Sequence, residues 1–148
     1  MLTDIVATPA RTIDDVIARM TAIDGRLADA DGVKWFNRLY LRVTLSVRSA
    51  VAGVFFEDQP FLAALDVVFA NLYFGAVSGA EASPPAPPRA WRPLFDTRHA
   101  PGIARLQFAL AGMNAHINRD LPDALVRAFR QMGGSPLSHP SGAAISIV

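Results

Sequence analysis

The chain of 148 residues contains no cysteine. This absence excludes disulfide bonds, thiolate metal sites and thiol nucleophiles. Charged residues are also few, at 18% of the chain, and they nearly cancel to a net charge of +1. Lys34 is the only lysine and the arginines are scattered, whereas a nucleic-acid-binding protein carries a basic stripe. We therefore expect no nucleic acid among its partners.

Long hydrophobic runs are absent as well. The most apolar span, residues 61–77, contains Asp66 and Asn71 and ends among glycines. It falls short of the roughly 20 apolar residues that cross a membrane. The first fifteen residues carry early acidic side chains and no sustained apolar run, unlike a secretory signal. We therefore expect no membrane partner and predict a soluble, cytoplasmic protein.

The motifs of several enzyme classes are missing too. The sequence has no P-loop, no glycine-rich dinucleotide turn, no GxSxG elbow, no HExxH and no EF-hand loop. A function cannot therefore be assigned from a short motif, and it has to be sought in the arrangement of side chains.

Hydrophobic residues, in contrast, make up 51% of the chain, which is enough for the core of one globular domain. They recur every three or four residues, as on the buried face of a helix. The predicted helices run from Thr12 to about Asp24, Val33 to Ala52, Asp58 to about Val77, Ile103 to Ile117 and Leu121 to about Met132. A short helix carrying Trp91 is expected as a lid. The fold prediction is all-α, a single bundle-like domain of five or six helices.

Residues 1–132 form the predicted helical domain, and residues 133–148, rich in Ser, Gly and Pro, form an irregular C-terminal tail. The stretch Leu106–Pro122 is its predicted centre. It is apolar on almost every side, as a buried helix is, yet it carries amides and an imidazole. Each of these polar groups needs a partner inside the fold, because a buried unpaired group costs roughly 1–3 kcal/mol.

His116 and Asp120 are the candidate catalytic residues. They stand four apart, so on a continuous helix they share a face, and the carboxylate can orient the imidazole or join it as a metal ligand. In the structural alternative, Asp120 only caps the helix that follows, and His116 is a hydrogen-bonded core histidine. A catalytic zinc needs about three protein ligands, and the other histidines, His99 and His139, lie in loop-like or tail sequence. No metal or other cofactor is specified.

The candidate ligand-binding residues lie on the same helix and its predicted neighbours. Asp66, in apolar surroundings, is expected to pair with Arg38 or Arg42 or to have a raised pKa. Tyr40 is alternatively a core tyrosine, and the asparagines are alternatively cross-links between helices, together with Gln107. The full set is Asn114, Asn118, Tyr40, Arg38 and Asp66.

Three segments of the chain resemble a known protein family. They are WFNRLYLRVT at 35–44, FLAALDVVFANLYF at 61–74 and AGMNAHINRDLPDAL at 111–125. Together they are similar to the uncharacterised helical domain-of-unknown-function family fifty-nine ninety-five. The resemblance implies an all-helical domain with an AHIN-x-DLP signature, which His116, Asn118 and Asp120 match, and it implies no activity. The family continues helically beyond Met132, so here we expect a shortened version with an exposed apolar face.

Two functions of different classes follow from these patterns. The first is a small-molecule-binding or enzymatic domain with a buried polar pocket around His116, and it predicts a cavity that reaches this residue. The second is a non-catalytic helical scaffold or interaction module, in which the same polar groups only satisfy one another. It predicts no cavity there, and a loss of a few kcal/mol of stability in His116→Ala. The sequence specifies no oligomeric state.

Overall fold

The computed structural model of the chain describes residues 1–53 and 58–134, and every regular element within them is helical. The helices are α1 (Thr3–Val6), α2 (Ile13–Arg26), α3 (Gly32–Ala52), α4 (Gln59–Ala80), α5 (Arg92–Thr97), α6 (Arg105–Ala115) and α7 (Leu121–Gln131). A 3₁₀ turn at Arg89–Trp91 precedes α5, and a π-helical turn at His116–Asp120 joins α6 to α7. The predicted all-α bundle is confirmed. Most of the predicted tail, with His139, lies outside the described residues.

The predicted helix starts follow from local capping chemistry. Thr12 accepts a hydrogen bond from the Asp15 amide, and Asp15 accepts one from the Thr12 amide, which is a capping box. Asp58 caps α4 by accepting from the Phe61 amide at 2.9 Å. These starts are confirmed because capping involves residues only a few positions apart.

An aromatic cluster forms the centre of the bundle. The ring centroid of Phe36, on α3, lies 5.1 Å from that of Tyr73, on α4, and 5.2 Å from that of Trp91. All three side chains are fully buried. Trp91 is therefore not part of a lid, as the sequence suggested, but one of the largest side chains of the core.

Helix α6 packs closely against α3 but is not the innermost element. At Gly112 a Cβ atom would overlap the ring of Phe36, and at Gly32 one would overlap the ring of Phe108. The absence of these Cβ atoms lets the two helices approach. On its outer face, however, Leu106 and Leu110 are 66% and 55% exposed. The prediction of a helix buried on every side is wrong, since apolar residues also occur on protein surfaces.

Helix α4 is, within the described ranges, the only helix long and apolar enough to cross a membrane. The core helix of a globular protein meets the same two conditions. Here α4 packs against α1, α2, α3 and α7, and it carries the buried Asp66.

The chain stays helical from α6 through the π turn into α7, so the predicted stop at Asp120 is wrong. Asp120 has helical backbone angles, φ −84° and ψ −34°, and its side chain caps no amide. Pro122 follows in the first turn of α7. A proline ring clashes with the carbonyl group four residues before it in a regular α-helix. The wider π turn accommodates this proline, and it leaves the Asp120 side chain free to point into the core.

Candidate functional site

The π turn places His116 and Asp120 side by side in the interior. The His116 Nδ1 atom lies 3.0 Å from Asp120 Oδ2, and the two residues are 1% and 0% exposed. Single π turns inside α-helices occur frequently at functional sites. The four-residue spacing thus forms the predicted pair, and the structure excludes helix capping as the role of Asp120.

The Asp120 carboxylate is held by three donors. Trp91 Nε1 donates to Oδ2 at 3.0 Å, and the guanidinium of Arg119 donates to Oδ1. Because an ionised carboxylate only accepts hydrogen bonds, the third donor is the Nδ1–H group of His116. Burial lowers the pKa of His116, although Asp120 opposes this effect. The imidazole is therefore neutral at pH 7, with an acceptor lone pair on Nε2.

Aromatic side chains cover the imidazole ring. The Phe69 ring on α4 stacks on it at a centroid distance of 3.5 Å and an interplanar angle of 2°. The Tyr40 ring lies 4.4 Å away in an edge-to-face arrangement, and Phe36 lies 5.7 Å away. His116 Nε2 is buried and has no hydrogen-bond partner.

Two further buried polar atoms lack a hydrogen-bond partner, the hydroxyl oxygen of Tyr40 and Oδ2 of Asp66. Asp66 lies one helical turn before Phe69, the residue that stacks on His116. Tyr40 packs against His116, and Asp66 lies near enough to Tyr40 for its charge to raise the pKa of the Tyr40 hydroxyl. We refer to His116, Tyr40 and Asp66 as the His116 cluster.

Burial controls the electrostatics of this cluster. It raises the pKa of Tyr40 well above its ordinary value, with smaller contributions from the charges of Asp66 and Asp120. It raises the pKa of Asp66 to about 6. Within residues 1–53 and 58–134, no cationic side chain forms an ion pair with Asp66. The upward pKa shift follows from burial, as the sequence analysis expected.

The expected pairing of Asp66 with an arginine is wrong. Arg38 Nε donates instead to Asp24 Oδ1 at 2.7 Å on the outer side of α3, and Arg42 is exposed. Arg38 is therefore not at the His116 cluster. On α3, the apolar Val43 is 42% exposed, whereas the polar Thr44 is buried.

The two asparagine candidates are also not at the cluster. Asn114 and Asn118 are exposed on the outer face of this helix, where Asn118 Nδ2 donates to Asn114 Oδ1 at 2.6 Å. Gln107 is exposed too, and its side-chain oxygen accepts from the Ala104 amide at 2.8 Å at the start of α6. The expected placement of these amides inside the bundle, either as cross-links or as a ligand surface, is wrong.

Sequence reasoning missed Trp91, Phe69 and Arg119 as contacts of the pair. No spacing links Trp91 to Asp120, which is 29 residues further along the chain. Phe69 lies one helical turn after Asp66 on α4, and this spacing is the signal in the sequence that the two side chains share a face of the helix.

Two surface cavities lie away from the His116 cluster. The larger, of about 770 Å³, lies between the start of α2, the end of α3 and α4, and includes Arg11, Arg48 and Asn71. The smaller is lined by Trp35, Arg38, Leu39 and Arg42. Neither contains His116, so the cavity predicted by the first functional hypothesis is not one of these two.

The chemistry available at the cluster is hydrogen bonding and proton transfer. A neutral imidazole oriented by a carboxylate can accept a proton from a group within hydrogen-bond reach of Nε2. In the part of the chain that the structure describes, no three His, Asp or Glu side chains form a group that could hold a metal ion.

Comparison with models of protein families gives a match that covers most of the chain. The model described as "Family of unknown function (DUF5995)" matches residues 13–141. This is the family that the three segments of the sequence resemble, and the matched region contains the whole His116 cluster. Neither the curated proteins nor the solved structures contain a match.

Proposed function

Since this chain belongs to the Family of unknown function (DUF5995), we propose a function from its interior: the protein binds a small polar molecule at the His116 cluster. The ligand would form hydrogen bonds with His116 Nε2, the Tyr40 hydroxyl and the Asp66 carboxylate. Asp120 and Trp91 would act as positioning residues that fix the imidazole. If the ligand carries an acidic proton, Nε2 is the group that would accept it.

One observation carries this proposal, namely the three buried polar atoms without a partner. Each such atom costs about 1–3 kcal/mol in the folded state. The cost of three such atoms is comparable to a large part of the free energy of unfolding of a typical domain, which is roughly 5–15 kcal/mol. A bound molecule that pairs with all three would recover this energy.

A structural role is the second candidate, and the burial of the pair favours it. His116 and Asp120 are almost completely enclosed, and Trp91 connects Asp120 to the aromatic core. Buried waters typically make about three hydrogen bonds, so a single water could also satisfy the cluster. In that case the pair only fixes the π turn, and the protein acts as a helical scaffold or interaction module.

Thermal-shift screening would separate the two candidates. Purified protein is first checked for bound metals by elemental analysis and then screened against a library of small polar compounds. We expect at least one compound to raise the melting temperature of the wild type and of Tyr73→Phe, a control that alters a buried tyrosine with its own hydrogen-bond partner. The same compound should not stabilise His116→Gln. A protein that responds to no compound, or a response that persists in His116→Gln, would contradict the proposal.

A further inference from the structure

We propose that the molecule bound at the His116 cluster carries a small ammonium group, as the ammonium ion and short primary amines do. This inference rests on the proposed function and specifies the class of its ligand. Three features of the cluster carry it: the hydrogen-bonding character of its free atoms, its unbalanced charge and its aromatic walls.

The free atoms of the cluster can all accept hydrogen bonds. His116 Nε2 is an acceptor because the proton of the neutral ring lies on Nδ1, against Asp120. An ionised Asp66 carboxylate only accepts, and the phenolic oxygen of Tyr40 has acceptor lone pairs. A primary ammonium group has three N–H donors and no acceptor. Its hydrogen-bonding capacity therefore complements these three buried atoms.

The charges around the cluster also favour a cation. The Asp120 carboxylate already has the guanidinium of Arg119 beside it. Asp66 is 6% exposed, and among the described residues no Lys, Arg or His pairs with it. A buried carboxylate without a counter-charge is strongly unfavourable. A water or a neutral ligand would satisfy the hydrogen bonds of Asp66 but would leave its charge uncompensated, whereas an ammonium ion would do both.

The walls of the site are aromatic. Phe69, Tyr40, Phe36 and Trp91 all have ring centroids within 6 Å of that of His116, at 3.5, 4.4, 5.7 and 5.7 Å. Aromatic faces attract cations and disfavour anions. The close packing of the rings restricts the ligand to a small head group. The Phe69 side chain itself is only partly buried.

Titration of the protein with methylammonium chloride would test this inference. The melting temperature is followed in phosphate buffer, with sodium chloride at equal ionic strength as the reference. Tetramethylammonium chloride, sodium acetate and methanol serve as probes for a cation without N–H donors, an anion and a neutral molecule. We expect only methylammonium to stabilise the wild type. Asp66→Asn should weaken the apparent affinity for methylammonium about tenfold or more, because the acceptor oxygen that remains carries no negative charge.

Two variants control for folding. Tyr73→Phe should retain the wild-type response, since Tyr73 bonds to Asn37 and not to the ligand. Tyr40→Phe keeps the aromatic wall but removes one acceptor, and it should weaken the response even if Asp66→Asn does not fold. Circular dichroism establishes that each variant is helical before it is titrated.

The outcomes distinguish this inference from the proposed function. If acetate or methanol stabilises the wild type but not His116→Gln, the ammonium inference is overturned while the proposed function holds. An undiminished methylammonium response in folded Asp66→Asn or Tyr40→Phe would also overturn the inference. If neither these probes nor any library compound stabilises the wild type, both proposals fail.

Discussion

Replacing Tyr40 with phenylalanine removes a single oxygen atom from the centre of the protein, and we expect this loss to stabilise the ligand-free fold. The hydroxyl is buried and has no hydrogen-bond partner, while the ring that remains still packs against His116. An unpartnered buried polar group costs about 1–3 kcal/mol. Tyr40→Phe should raise the free energy of unfolding by that amount, which corresponds to about 2–4 °C in melting temperature per kcal/mol for a domain of this size.

Tyr73→Phe is the matched control. Tyr73 is also fully buried, its ring centroid lies 6.1 Å from that of Tyr40, and its hydroxyl donates to Asn37 Oδ1 at 3.2 Å. Removing this hydroxyl loses a hydrogen bond worth about 0.5–1.5 kcal/mol and leaves the Asn37 oxygen unpaired. The same chemical change should therefore destabilise the protein at one position and stabilise it at the other.

Urea denaturation followed by circular dichroism measures both changes. The buffer must contain no amines, because a bound ligand would supply a partner to Tyr40 and mask the gain. An unchanged slope with urea concentration would show that the folded and unfolded states expose the same surface in each protein. If Tyr40→Phe loses as much stability as Tyr73→Phe, the Tyr40 hydroxyl has a partner in solution. The argument from unpartnered atoms would then be refuted.

Three further predictions follow from the same structure. Burial raises the pKa of Asp66 from 3.8 to about 6. The wild type should therefore lose about 3 kcal/mol of stability relative to Asp66→Asn as pH rises from about 4 to 6, at 1.36 kcal/mol per unit, and urea denaturation of both proteins across this range measures the difference. Burial lowers the pKa of His116 below 6.5. The neutral ring therefore stabilises the fold above pH 6.5, and this contribution is lost as the pH falls through the lowered pKa. An NMR titration in which His116 is half-protonated at pH 6.5 or higher would contradict this prediction. Gly112→Ala should destabilise the protein by about 1–3 kcal/mol, because the added Cβ overlaps the ring of Phe36. Gly75→Ala, where the added Cβ meets open space, should stabilise it by up to about 1 kcal/mol through higher helix propensity. Equal melting temperatures for the two variants would show that the α3–α6 contact is not tight.

Local patterns in the sequence were sufficient to predict the helices and the contact between His116 and Asp120. The capping residues Thr12 and Asp58 and the recurrence of apolar residues depend on neighbours within one or two helical turns. The contact of His116 with Asp120 has the same origin, because residues four apart on a helix lie on one face. These features are specified by the chain itself, without reference to what packs against it.

The composition of the site was decided by tertiary structure. Tyr40 packs against His116 and Asp66 is buried near Tyr40, whereas Arg38 and Asn114 lie on outer faces, although all four belong to helices that the sequence predicted. Helical periodicity shows which side chains share a face, but it does not show which neighbour that face meets. For α6, the outer face carries leucines that resemble those of a buried helix, so composition gave the wrong orientation.

Asp120 shows most clearly how local sequence and tertiary structure each contribute to the site. An aspartate two residues before a proline is typical of a helix start, where its side chain would cap an amide. In the folded protein a π turn keeps the backbone helical, and Trp91, 29 residues earlier in the chain, donates to its carboxylate. The sequence determined that a carboxylate would lie beside His116. Only the packing of the core determined that this carboxylate would face inward, because burying it requires donors from distant parts of the chain.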